Sequence, residues 1–107
     1  MKYKFMRLFI LFDLPTDTSE ARKEYADFRK CLLRNGFAMM QYSVYVRFCT
    51  SRKQADTILT RVQRDIPTYG LIRGLLVTEK QFSDMPILLG NRTPTECELD
   101  AEQLLFW

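Results

Sequence analysis

The sequence contains no histidine. That absence removes Ser-His and Cys-His nucleophile pairs, imidazole general bases and imidazole metal ligands. Any bound metal would sit on oxygen ligands, which favours magnesium, manganese or calcium. Cysteine is scarce: Cys31, Cys49 and Cys97 are odd in number, and their spacings match no zinc or redox pattern. Reduced thiols in a cytoplasmic protein are therefore expected. No apolar run approaches the roughly 18–20 residues that span a bilayer, so no membrane contact is expected. The lysines at the start lead into an apolar run that contains Arg7 and ends in Asp13, with no small-residue cleavage site behind it, so no signal peptide is expected. No Gly-rich phosphate loop is present either, which leaves a small-ligand regulatory domain with little support.

What remains is the composition of one ordinary globular domain, 107 residues with 47% apolar and 27% charged side chains. A chain of this size holds a modest core and often gains stability by dimerising. The net charge of +3 hides an asymmetry. Residues 1–80 carry 15 Lys and Arg against 8 Asp and Glu, whereas residues 81–107 carry one Arg against 5 acids. A basic body points to a polyanionic partner, and the acidic tail to a separate task.

The run Phe5 to Leu14, stopped by Pro15, predicts a buried central strand that delivers Asp13 to its carboxyl end. That edge is where α/β sheets tend to place their chemistry, although an Asp before a Pro-containing turn also serves as turn or cap chemistry. Asp17 with Glu20 resembles a capping box for a helix from about Ser19 to Asn35, with Tyr25, Phe28 and Leu32 on its core face. Gly36 suits a left-handed stop. Phe37–Met40 and Ser43–Phe48 predict two strands broken near Gln41-Tyr42, with Val44, Val46 and Phe48 on one face and Tyr45 and Arg47 on the other. Ser51 with Gln54 opens a second helix expected to reach Ile66, with an apolar stripe of Ala55, Ile58, Leu59, Val62 and Ile66. Leu71–Thr78 is a fourth strand. Strand-helix-strand twice over predicts an α+β, ferredoxin-like βαββαβ sandwich, with both helices on one face of a four-stranded antiparallel sheet. The free face then needs a partner. Met85–Gly90 is a fifth apolar run, in which Pro86 suits an edge strand or an irregular segment. Residues 1–82 are read as the domain, and residues 83–107 as a C-terminal strand and acidic tail for dimer or partner contact.

Several motifs in fixed order resemble a known family. They are Phe12-Asp13-Leu14-Pro15, Phe28-Arg29-Lys30, Asn35-Gly36-Phe37, Gln41 to Arg47, and Val77 to Phe82. Together, over residues 5–90, they look like the CRISPR-associated protein-two family, the small subunit of the spacer-acquisition complex, and most like its type II branch. The resemblance implies a symmetric homodimer whose C-terminal fifth strand crosses to the partner's sheet. It implies a place between dimers of the CRISPR integrase, with double-stranded DNA lying across the assembly. It also implies that Asp13, one copy from each protomer, holds a single Mg2+ or Mn2+ at the dimer axis in nuclease-active relatives.

Two functions follow from that resemblance. The favoured one is a non-catalytic DNA-binding scaffold that bridges integrase dimers. Its phosphate contacts would come from Arg22, Lys23, Arg29, Lys30, Arg47, Arg52 and Lys53, which suits a protein that accepts any sequence. The alternative is a magnesium-dependent endonuclease acting on RNA or double-stranded DNA through Asp13. One carboxylate per protomer and no histidine weigh toward the scaffold. An RNA-recognition domain on the same fold is disfavoured, because Ser43–Phe48 lacks the Gly-aromatic spacing of that module.

Overall fold

The computed structural model describes residues 5–91. The acidic tail and Cys97 lie outside the described residues. The elements are β1 (Met6–Asp13), α1 (Ser19–Arg34), β2 (Ala38–Gln41), β3 (Val44–Cys49), α2 (Arg52–Gln63), β4 (Leu71–Thr78) and a short α3 (Glu79–Ser83). The four strands form one sheet in the order β2-β3-β1-β4, and every neighbouring pair is antiparallel. This is the expected ferredoxin-like α+β arrangement, with β1 at the centre.

Alternation along β1 separates two apolar layers. Leu8, Ile10 and Phe12 pack with Tyr45 and Cys49 of β3, Phe28 and Leu32 of α1, and Ala55, Ile58 and Val62 of α2. Both helices therefore cover one face. Phe12 is the hub of this layer, with ring centroids 5.4 Å from Phe28, 5.7 Å from Tyr45 and 5.9 Å from Tyr25. Phe12→Ala is expected to destabilise the fold by about 3–5 kcal/mol, read as a lower urea midpoint at unchanged slope. Cys31 and Cys49 are buried free thiols, and burial pushes both thiols up from their ordinary range.

The opposite face carries Phe9, Val46 and Phe82, with Leu11, Met40, Val44 and Val77 around them. Here α3 folds over part of the sheet and lays Phe82 against Phe9, 5.8 Å between centroids. The rest of this face stays uncovered, and Leu71 and Leu75 of β4 are exposed on it.

Three expectations are corrected in detail. Thr18, not Asp17, caps α1: its Oγ1 accepts from the Ala21 amide at 3.0 Å. Ser51 caps α2 as expected, accepting from the Gln54 amide, but the Gln54 side chain accepts from Thr50 N rather than completing a box with Ser51. The complete capping box is instead at Thr78 and Gln81, opening α3. Helix α2 stops at Gln63, short of Ile66. The amides of Arg64 and Asp65 tighten to i−3 carbonyls, and Pro67 biases Ile66 away from helix, leaving that side chain exposed. The Met85–Gly90 run, expected to join a partner's sheet, forms no strand with its own chain among the described residues. Nothing pairs with it among the described residues, and Leu88 and Leu89 are 93% and 96% exposed.

Two glycines are required by geometry. Gly36, at φ +84°, closes α1 in a Schellman arrangement, with Phe37 N on the Leu32 carbonyl and Gly36 N on the Leu33 carbonyl. Gly70, at φ +119°, lies against the end of β1: a Cβ there would be 2.5 Å from Leu14 Cδ2 and 2.9 Å from the Asp13 carbonyl oxygen. Gly70→Ala is expected to lower thermal stability, the reverse of an exposed helix Gly→Ala change, because strain and overlap act together. A melting curve within 1 °C of the parent protein would contradict this.

Candidate active site and nucleic-acid interface

Asp13 is the last residue of β1, exposed, and in register with Leu71 of β4. Alternation puts it on the same face as Phe9 and Leu11, the face the helices leave free. The backbone around it is fixed on both sides. On the β3 side, Phe12 N donates to the Ser43 carbonyl at 3.1 Å, and Ser43 holds a turn at φ +63°. On the β4 side, Gly70 packs against Asp13 and Leu14. A carboxylate on a buried central strand is thus held rigidly while its oxygens stay in solvent.

Arg73 belongs to the same region and escaped the sequence reading. It is exposed, in register with Leu11, and so lies diagonally across from Asp13 on the open face. Such diagonal neighbours sit roughly 7–8 Å apart, within reach of a phosphate bridging both side chains. The signal was a charged residue alternating with Leu71 and Leu75 in a strand otherwise apolar.

The other basic candidates do not gather at Asp13. Arg22 and Arg29, and Lys23 and Lys30, are pairs one heptad apart on the exposed side of α1. Arg22 donates to the Thr16 carbonyl, Lys23 pairs with Asp27 at 3.0 Å, and Arg29 Nε donates to the Tyr45 hydroxyl at 2.9 Å. The Lys23 ammonium is pushed up from its ordinary range by the Asp27 hydrogen bond, and Asp27 is correspondingly lowered. Arg47 is half-buried and caps α1 from outside: Nε donates to the Asn35 carbonyl at 2.7 Å, and Nη1 to the Phe48 carbonyl at 2.8 Å. Arg52 and Lys53 are exposed in the first turn of α2, by the end of the sheet where Met6 pairs with Cys49 and Thr78. That is the end opposite Asp13.

One strong electrostatic feature was not foreseen. Arg7, completely buried in β1, makes a bidentate pair with Glu79, Nε to Oε1 at 2.7 Å and Nη2 to Oε2 at 3.0 Å. Its guanidinium lies over the rings of Phe82 at 4.6 Å and Phe48 at 5.3 Å. The pair ties α3 to the centre of the sheet.

Among the described residues no group of three or more Cys, Asp or Glu side chains converges on one point. No helix among them is long and apolar enough to cross a membrane. The chain is thus of the ferredoxin-like class of small α+β domains, with a solvent-facing carboxylate at the end of its central strand bordering an uncovered apolar face, a class that serves many functions. Comparison with known sequences narrows this. Residues 6–85 match the family described as CRISPR associated protein Cas2. A CRISPR-associated endoribonuclease Cas2 of Ligilactobacillus salivarius is 52% identical over 81% of this chain and 86% of its own length. Proteins of the same name from Flavobacterium psychrophilum and Parvibaculum lavamentivorans are 39% and 42% identical, over 96% and 94% of this chain and 89% and 100% of theirs. The chain belongs to the CRISPR-associated Cas2 family.

Proposed function

We propose that this protein is a metal-dependent endonuclease that works as a symmetric dimer, with Asp13 of each protomer at the shared axis. The observation that carries this reading is the position of Asp13, a rigidly held and exposed carboxylate bordering the one apolar face the fold leaves uncovered. The relatives' name, endoribonuclease, supports cleavage over scaffolding alone and makes RNA the first substrate to test. An oxygen-only donor suits Mg2+ or Mn2+, and two symmetry-related Asp13 carboxylates supply what one chain lacks. When bound, such an ion activates water and polarises the scissile phosphate. Asp13 would hold the ion through one carboxylate oxygen and, with no histidine in the chain, its other oxygen would be the side-chain atom available to accept a proton. Arg73 neutralises the phosphate beside it. The uncovered face, with Phe9, Leu11, Met40, Val44 and Leu75 around a groove of about 550 Å³, is the dimer surface. The Met85–Gly90 run would add itself as a fifth strand to the partner's sheet.

Cleavage of single-stranded RNA and of duplex DNA, with Mg2+, Mn2+ or EDTA, tests the activity; identical cleavage by wild-type and Asp13→Asn protein would sink it. The dimer has its own test. Leu75→Glu places a charge on the exposed face and is expected to yield monomers in sedimentation velocity with an unchanged circular dichroism spectrum. A dimer of unchanged affinity would put the interface elsewhere.

A second role has its own observation. Arg22, Lys23, Arg29, Lys30, Arg52 and Lys53 are exposed on the helices, which cover the sheet face opposite Asp13. This basic outer layer suits duplex DNA in a CRISPR integration complex, where the protein would bridge integrase subunits independently of cleavage. Arg47 contributes least of the seven, because Nε and Nη1 are engaged with carbonyls. Charge reversal at Arg29 and Lys30 is expected to weaken duplex binding and flatten its salt dependence without altering cleavage of RNA. Unchanged salt slopes would remove these residues from the interface.

A further inference from the structure

Eleven Phe and Tyr residues lie between Phe5 and Phe82. Nine of them are buried or half-buried, and the two exposed ones are Tyr42 and Tyr69, at 86% and 73% exposure. Neither ring packs on another ring among the described residues. Both stand at the same end of the sheet as Asp13. Tyr42 lies in the turn that leads into β3, and Tyr69 in the loop that leads into β4. Those two strands flank β1 on either side. With neighbouring strands about 4.8 Å apart, the two loops straddle the Asp13 carboxylate over a span on the order of 10 Å.

Neither loop is loose. The Tyr42 turn is pinned by the bond from Phe12 N to the Ser43 carbonyl and by the left-handed Ser43. The Tyr69 loop is held by Gly70 against Asp13 and Leu14. It is also held by Thr68, whose hydroxyl and amide donate to Glu24 Oε1 at 2.7 and 3.3 Å. Two exposed rings thus stand on fixed backbone positions on each side of the candidate reactive carboxylate. The other described aromatics are buried or half-buried, and packing within the chain does not account for these two.

We infer that Tyr42 and Tyr69 are base-stacking residues that hold unpaired nucleobases on either side of the Asp13 carboxylate. This rests on the endonuclease reading and deepens it by specifying single-stranded substrate. A paired base keeps its faces inside its own stack, so a duplex offers these rings nothing, whereas every unpaired base offers a π-face whatever its identity. The charges near Tyr69 agree. Asp17, Glu20 and Glu24 line the groove beside it along with Lys23, so next to Tyr69 the exposed ring offers a base more than the groove offers a phosphate. Binding at this end is accordingly tolerant of base identity.

The test uses the full-length dimer and fluorescence anisotropy with labelled 12-mers of single-stranded RNA, single-stranded DNA and duplex DNA. Tyr42→Ala and Tyr69→Ala are each expected to weaken single-strand binding about tenfold, the size of one lost base stack, while Phe at either position restores it. Duplex affinity and sedimentation should not change. RNA and DNA strands responding alike assign the effect to the bases; a response of RNA alone assigns it to RNA bases in their own backbone. Unchanged single-strand affinity in the double Ala variant overturns the inference, as does a loss that Phe fails to rescue or that appears equally with duplex. Asp13→Asn separates the two readings. If that variant still cleaves, the endonuclease assignment of Asp13 fails, while the stacking measurement stands by itself.

Discussion

Asp13→Asn is expected to lower metal-dependent phosphodiester cleavage on the order of 100-fold or more and to leave the melting temperature where it was. The two halves of this expectation come from different features. Asp13 is exposed at the end of its strand, so an isosteric amide there disturbs no packing, and surface changes of this kind stay within about 0.5 kcal/mol. The expected effect on the reaction is larger because the proposed dimer would carry the change twice, and an amide would supply no negative charge to a divalent ion. Loss of one electrostatic anchor on a transition state ordinarily lowers rates by about 10²–10³. Initial rates against Mg2+ concentration for both proteins, alongside calorimetric melting, check both halves. Activity within threefold of wild type would move the metal elsewhere, and a fall in melting temperature would mean that Asp13 is structural.

Arg7→Ala destabilises the protein by about 3–5 kcal/mol, the usual effect of removing one partner of a buried ion pair. The total stability of a domain is only about 5–15 kcal/mol, so this variant sits near the edge of folding. Two losses combine. Glu79 keeps its charge in a half-buried position without the guanidinium, and a gap opens between the Phe48 and Phe82 rings. Lysine does not substitute, because the bidentate geometry requires the planar fork. The double variant Arg7→Met with Glu79→Gln is expected to recover most of the loss, since replacing both partners of a buried pair by neutral groups of similar shape is often neutral. Urea denaturation of the two single variants and the double closes the cycle. An Arg7→Ala protein within 1 kcal/mol of wild type would show that the rings alone hold α3.

The elements that rest on local pattern were legible. The stripes Tyr25-Phe28-Leu32 and Ala55-Ile58-Val62 point both helices at one face, and the alternation of Val44 to Phe48 sets the β3 faces correctly. The opening strand with its terminal Asp13 was legible because apolar density and Pro15 act over a few residues. Three features were not legible, for separable reasons. Thr16, Asp17, Thr18 and Ser19 are all competent caps, and only the backbone conformation chooses Thr18. Helix α3 has five residues, too few for a periodic signal, although Thr78 and Gln81 spelled its capping box. The Arg7–Glu79 pair joins residues 72 positions apart, which no local window contains. Arg7 did signal something, as a charge inside an apolar strand. The site itself was half legible: Asp13 and its edge could be read from the chain, whereas the alignment of Tyr42, Tyr69 and Arg73 around it exists only once register is known.

The central place of β1 also sets a clock on synthesis. Both of its neighbours come later in the chain, and the outer one, β4, pairs Thr78 with Met6. At roughly 5–20 residues per second, the interval between the first strand and the last is on the order of 4–14 s. Until then Phe9 and Leu11 have no finished layer to enter, and a long-range antiparallel pairing must wait for loop closure. The nascent chain is therefore most prone to aggregate just before its fourth strand clears the ribosome.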